Sequence, residues 1–418
     1  MSDRCIVCSE VLIMKCCYNL MQEKPRRVDT LLTVGFNFRM RDTIILLLLV
    51  FCGCTTNPTD SSSAGNWQFY RGDAAMSGYT DVRLPEKPTI KWTYKSDLRT
   101  SSSPLVYHGT VFWSDKRGRI QGVDSQGNLC FTYAFETAVE ATPFIEDSVL
   151  YIGRVDGYMS ALSLATQDTL WNFETWGQIS AAPNIVDCEG RKALVFGSYD
   201  NFLYCLDIRD GKEINRIESG YYINGAVAQW NNHVIFGGCD AWIRIVDCRN
   251  GMQTDSLETE EYIPASPAIS GDNCYIADYA GNVYELYLKN GKFEQHRKIV
   301  ESTSESGSFV SVPAVTDKML FIVSSDRYMY AINRADGAVN WKYLLKGNTG
   351  ESSPVICHDR IIVCTKTGII SILDAKTGSL LWEYDTGEQI KASPAIIQGH
   401  FYILTERGTL FCFGDEGK

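Results

Sequence analysis

Fifteen cysteines and five histidines carry most of the chemical capacity of this sequence. Thiolates and imidazoles ligate soft metals, act as nucleophiles or pair into disulfides. Six of the cysteines precede residue 55; the other nine are Cys130, Cys188, Cys205, Cys239, Cys248, Cys274, Cys357, Cys364 and Cys412. None forms a C-x-x-C pair and histidine is sparse, which argues against a zinc site. The odd count argues against a complete disulfide framework. Several of the nine sit in apolar runs such as Leu203-Tyr204-Cys205-Leu206, where a thiol serves as a small buried hydrophobe. His108, His233, His358 and His400 each follow a repeated proline motif, or its equivalent, by a few residues; His296 is the fifth. Periodic spacing of that kind marks equivalent exposed turn positions, not one cluster. There is no G-x-S-x-G element and no P-loop. No catalytic residue, metal site or cofactor is expected.

Cys54 is the cysteine with an assignable chemistry. Residues 44–51 are an apolar run of eight. A bilayer span needs about 20 residues, so the run fits the core of a secretory signal. Met40 and Arg41 supply the start and the positive charge. Gly53-Cys54 resembles the end of a bacterial lipobox, although Phe51 and Cys52 depart from the usual residues there. The resemblance implies that Cys54 becomes the lipid-bearing N-terminus and anchors the chain to a membrane. Residues 1–39 carry no repeat pattern and read as a mis-assigned extension before a true start at Met40, with 40–54 as the lipoprotein signal. Residues 55–65 are polar and rich in Ser and Thr, a flexible tether to a domain over 66–418.

Residues 1–53 hold seven basic and five acidic residues of the 39 and 50 in the chain, which leaves 32 minus 45, or −13, for the remainder. Such a surface repels phosphate backbones, so no nucleic-acid partner is expected.

The elements that position these residues come from a repeat. Small-small-Pro motifs end at Pro104, Pro143, Pro183, Pro267, Pro313, Pro354 and Pro394, at spacings of 39, 40, 84, 46, 41 and 40. The spacing of 84 is two units, with Gly225-Ala226-Val227 in the place of the missing motif. One unit shows the plan. Pro354-Val355-Ile356 opens a first strand, and residues 360–364, 369–373 and 380–384 form three more, separated by the turns Lys366-Thr367-Gly368 and Ala375-Lys376-Thr377-Gly378. Four short antiparallel strands in about 40 residues make a propeller blade. Asx-Gly pairs at Asp156-Gly157, Asp210-Gly211, Asn250-Gly251, Asn290-Gly291 and Asp336-Gly337 supply the positive φ that tight hairpins require.

The eighth unit, residues 392–413, lacks its fourth strand, and residues 89–94 (T-I-K-W-T-Y) resemble the fourth strand of the seventh. The sequence thus predicts an all-β, eight-bladed propeller closed by pairing its N-terminal strand with its C-terminal blade. Trp92, Trp171, Trp341 and Trp382 are expected at equivalent inter-blade positions. In such a ring the loop entering each innermost strand faces the central channel. Three residues before each proline, or its equivalent, stand Ser101, Glu140, Ser180, Asn224, Pro264, Val310, Glu351 and Lys391. Of these, Glu140, Ser180, Asn224, Glu351 and Lys391 are the candidate channel and ligand-binding residues.

Leu373-Asp374-Ala375-Lys376-Thr377-Gly378-Ser379-Leu380-Leu381-Trp382, weaker copies ending at Trp341 and Trp171, and the entry segment Asn66-Trp67-Gln68-Phe69-Tyr70-Arg71-Gly72-Asp73 resemble the quinoprotein-type, PQQ-like repeat family over about residues 66–416. The resemblance implies the propeller fold. The dehydrogenases of this family hold their quinone over calcium, often beneath a ring of two adjacent half-cystines; the one adjacent pair here, Cys16-Cys17, lies outside the repeats. Lipobox and eight repeats together resemble the BamB-like scaffold lipoproteins. That likeness implies a non-catalytic envelope protein, outer-membrane-anchored and facing the periplasm or cell surface, with the barrel-assembly machinery as partner. A ligand-sensing or polysaccharide-associated surface propeller and a quinone-dependent dehydrogenase are the alternatives.

Overall fold

The computed structural model describes residues 65–303 and 307–415. Cys54, the segments 1–39 and 40–54 and the tether up to residue 64 lie outside the described residues.

The apolar runs fold as the two middle strands of each blade. Arg360–Cys364 and Ile369–Asp374 are buried at all but their end positions, because each blade is sandwiched between two others. Outer strands such as Thr169–Glu174 alternate half-buried and exposed, one face on the next blade and one in water. Eight four-stranded antiparallel sheets result: blades 1 to 7 span residues 105–134, 144–174, 184–218, 228–258, 268–300, 314–344 and 355–385. Blade 8 takes three strands from residues 395–415 and its outer strand, Pro88–Lys95, from the other end of the domain. That strand runs antiparallel to Thr409–Asp415, with Thr89 opposite Gly414 and Tyr94 opposite Leu410, so the ring closes as the sequence predicts.

The repeated Gly and Trp form one joint. The Trp171 indole donates to Ile208 O of the next blade at 3.2 Å, Trp341 to Ala375 O at 3.1 Å, and Trp92 to Ser125 O at 2.9 Å. Each ring lies on the turn glycine of the following blade. A Cβ on Gly211 or Gly378 would stand 2.6 Å from that tryptophan, and both glycines have positive φ. Asn215 takes the same seat in blade 3 and donates to Cys248 O at 2.8 Å. Trp382 differs: the turn it would reach is the break between chain ends in blade 8, and it packs edge-on against Phe401 and Phe413 instead. The four rings are half-buried rather than fully buried, since each sits on an outer strand. Trp341→Ala should therefore cost about 2–3 kcal/mol, below the range for a fully enclosed ring. Chemical unfolding checks this, with a shifted midpoint at unchanged slope.

The small-small-Pro motif is a belt around the channel. The hydroxyl before the proline accepts the amide of the preceding blade: Ser103 N donates to Thr142 Oγ1 at 2.8 Å, Val312 N to Ser353 Oγ at 2.9 Å, Ser353 N to Ser393 Oγ at 3.0 Å, and Ser393 N to Ser103 Oγ at 2.9 Å. Blades 3 and 4 carry Ala182 and Ala226 there, and Asn184 substitutes by donating to Val227 O at 2.8 Å.

Residues 66–80 form an element that the repeat pattern does not contain. They run beneath the ring as a strap and bond the inner strands in turn. Trp67 bridges Val106 of blade 1, and Gln68 O accepts from Ile145 of blade 2. Ala74 O accepts from Asn184 of blade 3 and Gln229 of blade 4, Ala75 O from Ile269 of blade 5 and Ser77 O from Val315 of blade 6. Tyr79–Thr80 then adds a fifth, parallel strand to blade 7.

His233 corrects the reading of the histidines as exposed turn residues. It is 8% exposed, with the Gly291 turn of blade 5 closing over its ring, and burial lowers its pKa. His108, His296 and His358 are exposed.

Candidate functional site

All eight residues that stand three before the proline positions line one cavity of about 290 Å³ at the channel mouth. The sequence-derived residues Glu140, Ser180, Asn224, Glu351 and Lys391 are thus brought together on one ring of loops. The charged and amide groups among them are engaged, while the Ser180 hydroxyl is buried without a hydrogen-bond partner among the described residues. Lys391 Nζ lies 3.2 Å from Glu351 Oε1, Lys116 Nζ 3.0 Å from Glu140 Oε1, and Tyr199 donates to Asn224 Oδ1 at 2.7 Å. Both ion pairs are substantially exposed, so each adds at most about 1 kcal/mol.

The strap closes the floor. Tyr70 lines the cavity, and the next residue, Arg71, is wholly buried. Its guanidinium donates to Pro354 O at 2.5 Å and Pro313 O at 2.8 Å. Burial draws its pKa down to about 10, so Arg71 stays cationic at neutral pH. Asp73 is raised by burial, partly offset by hydrogen bonds from Ser77.

A quinone over calcium would need several oxygen ligands converging on one point beside room for a fused-ring body. The two carboxylates of this mouth are each held by a lysine, the cavity is small, and a buried cation lies behind its floor. Among the described residues no three His, Cys, Asp or Glu side chains are grouped to hold a metal. The donor set does not fit that cofactor. The nine described cysteines are all free thiols; Cys130 is exposed, Cys239 half-exposed and the other seven buried.

The loops around the mouth carry an arc of aromatic residues that the repeat analysis does not single out. Tyr222 and Tyr262 occupy equivalent positions two residues before Asn224 and Pro264. Tyr222 stacks on Tyr199 at 5.0 Å and touches Tyr221 at 4.3 Å. Tyr262 stacks on Tyr279 at 4.7 Å. Cys239 lies between the two groups, its amide bonded to Tyr222 O. Trp176, on the loop entering blade 3, is 85% exposed and Tyr221 48%. The entering loops 174–180, 218–224 and 258–264 contain five glutamates and no Lys, Arg or His. The available signal was the placement of these aromatics in loops, where a blade has no packing use for them.

The family model described as outer membrane protein assembly factor BamB matches residues 82–297 and 294–417. The BamB of Shewanella oneidensis is 20% identical over 372 residues, covering 80% of this chain and 91% of that protein. The BamB of Legionella pneumophila is 28% identical over 148 residues, so the match spans just over a third of each chain, 35% of this one and 36% of that one. The crystal structure of BamB from Moraxella catarrhalis superposes with a TM-score of 0.68 at 18% identity, over 79% of this chain and 99% of that one, a likeness of fold. With the family model spanning both halves of the ring, this chain belongs to the BamB family of outer membrane protein assembly factors.

Proposed function

We propose that this protein is a non-catalytic envelope scaffold that holds a partner protein on the mouth face of its ring, in the setting of outer-membrane protein assembly. The observation that carries the reading is the aromatic arc. Trp176, Tyr221 and Tyr279 expose large rings on loops of the mouth face, among entering loops that carry five glutamates. Aromatic side chains dominate the energetics of protein interfaces, and rigid loops present them at low entropic cost. The names of the BamB relatives agree with that setting. Cys54 would carry the lipid and residues 55–65 the tether, raising the concentration of the ring near a membrane-bound partner.

Crosslinked pull-down from intact envelopes tests it. The combined change Trp176→Ala and Tyr221→Ala should reduce capture of the barrel-assembly partner about thirtyfold, the loss of about 2 kcal/mol expected when central aromatics are truncated. Glu140→Lys with Glu351→Lys should weaken capture less and leave melting intact. Capture unchanged in the aromatic variant would overturn the scaffold reading. So would quinone- and calcium-dependent oxidation of an alcohol or sugar by the purified protein.

A further inference from the structure

The first and second strands of a blade meet on the face away from the mouth, as do the third and fourth. On that face a cleft of about 670 Å³ opens among blades 5, 6 and 7, with Ser77 and Tyr79 of the strap among its walls. Its size is that of a small-molecule site. Ile269, Val315, Phe321 and Ile356 are buried and form an apolar floor, and the accessible apolar surface above it is that of half-buried Tyr79, Met319 and Ala375. The rim carries Lys318, on the first hairpin of blade 6, and Lys376, on the last hairpin of blade 7. Neither ammonium takes part in an ion pair among the described residues. His358 stands beside them, in contact with Arg83 at 3.3 Å, and Asp317 is the one carboxylate of the lining. The protein outside the signal is strongly acidic, and here two lysines without an ion-pair partner among the described residues stand over one apolar cleft, with Asp317 in the lining and Asp81 and Asp359 at its edge.

We propose that this cleft is a second binding site, taking a single-chain anionic amphiphile with its apolar body against Tyr79, Met319 and Ala375, over a floor of Ile269, Val315, Phe321 and Ile356, and its carboxylate or phosphate at Lys318 and Lys376. The apolar lining gives a hydrocarbon chain a place to leave water. The lysines act as point charges that accept either acid group. The inference does not rest on the scaffold reading, because the site lies on the other face and involves none of the mouth residues.

Calorimetric titration of the full-length protein with decanoate, decyl phosphate and decyltrimethylammonium tests it. Both anionic probes should bind one saturable site, at least about tenfold more tightly than the cationic one. Tighter binding of decyl phosphate would assign the natural ligand to lipid headgroup chemistry, and tighter binding of decanoate to a free acid. Lys318→Glu with Lys376→Glu should weaken the anions at least about tenfold without changing melting, since both side chains are exposed. The Glu140→Lys, Glu351→Lys variant should bind them as the parent does. Equal binding of anion and cation, or affinity unchanged by the lysine reversals, would overturn the site while leaving the partner-capture result standing.

Discussion

Deletion of residues 66–95 should abolish the folded monomer. The segment supplies the outer strand of blade 8 and the strap beneath the other seven blades. Without it, Thr409–Asp415 becomes an unpaired edge containing Leu410, Phe411, Cys412 and Phe413, all buried in the closed ring. An apolar strand with a free row of amides and carbonyls is a template for intermolecular pairing. The inner strands also lose the carbonyls that now receive the amides of Ile145, Gln229, Ile269, Val315 and Ile356. Each of those amides would lose its acceptor, and where it stays buried an unmet amide costs about 1–3 kcal/mol. Together these losses exceed the 5–15 kcal/mol by which a domain is ordinarily stable. Light scattering during size exclusion should show aggregates, and melting should lose its cooperative transition. A monomer that melts as the parent does would refute the closure argument.

Why the closure was legible in sequence and the strap was not follows from what holds each. Blade strands announce themselves through alternating burial, Asx-Gly turns and the Gly–Trp joint, because those interactions need particular side chains at fixed spacing. The missing fourth strand of the eighth unit could thus be matched to residues 89–94. The strap is held mainly by its own carbonyls, which any residue carries, so residues 66–80 show no periodicity despite touching all of blades 1 to 7. The mouth residues were readable for the same reason as the blades: they keep a constant offset from proline. Their ion pairs were only half readable, since Lys391 to Glu351 joins two equivalent positions, whereas Lys116 reaches Glu140 from a loop of the neighbouring blade. His233 opens the strand that follows the hairpin turn, whereas His108 and His358 lie in the turn itself, and its burial depends on the turn of the next blade covering it. The aromatic arc keeps the repeat register at Tyr222 and Tyr262, but the other blades carry no aromatic residue at that position, which is where a binding surface departs from a scaffold.

Arg71→Ala should be the most destabilising single substitution in the ring, at about 3–5 kcal/mol. Arg71 is among the largest fully buried side chains, it forms no ion pair among the described residues, and its guanidinium ties Pro313 O of blade 6 to Pro354 O of blade 7. Truncation removes packed volume and leaves two carbonyls unmet where water has little access. Two effects compete in the wild type: burying a cation is costly, while charge-assisted bonds to carbonyls recover much of that cost. Arg71→Met separates them. It restores most of the volume and removes the buried charge, so its cost of about 1–3 kcal/mol isolates the unmet carbonyls. Gly78 supplies an internal control. A Cβ there would stand 2.0 Å from Arg71 Nη2, and its φ is +63°. Gly78→Ala should therefore expel the guanidinium in the parent, but cost only its backbone strain, about 1 kcal/mol, when Arg71 is already alanine. A double-mutant cycle by chemical unfolding should show that sub-additivity. Strict additivity would mean that Arg71 does not occupy the site beneath the mouth, and Arg71→Met as stable as the parent would mean that the two carbonyls find other donors.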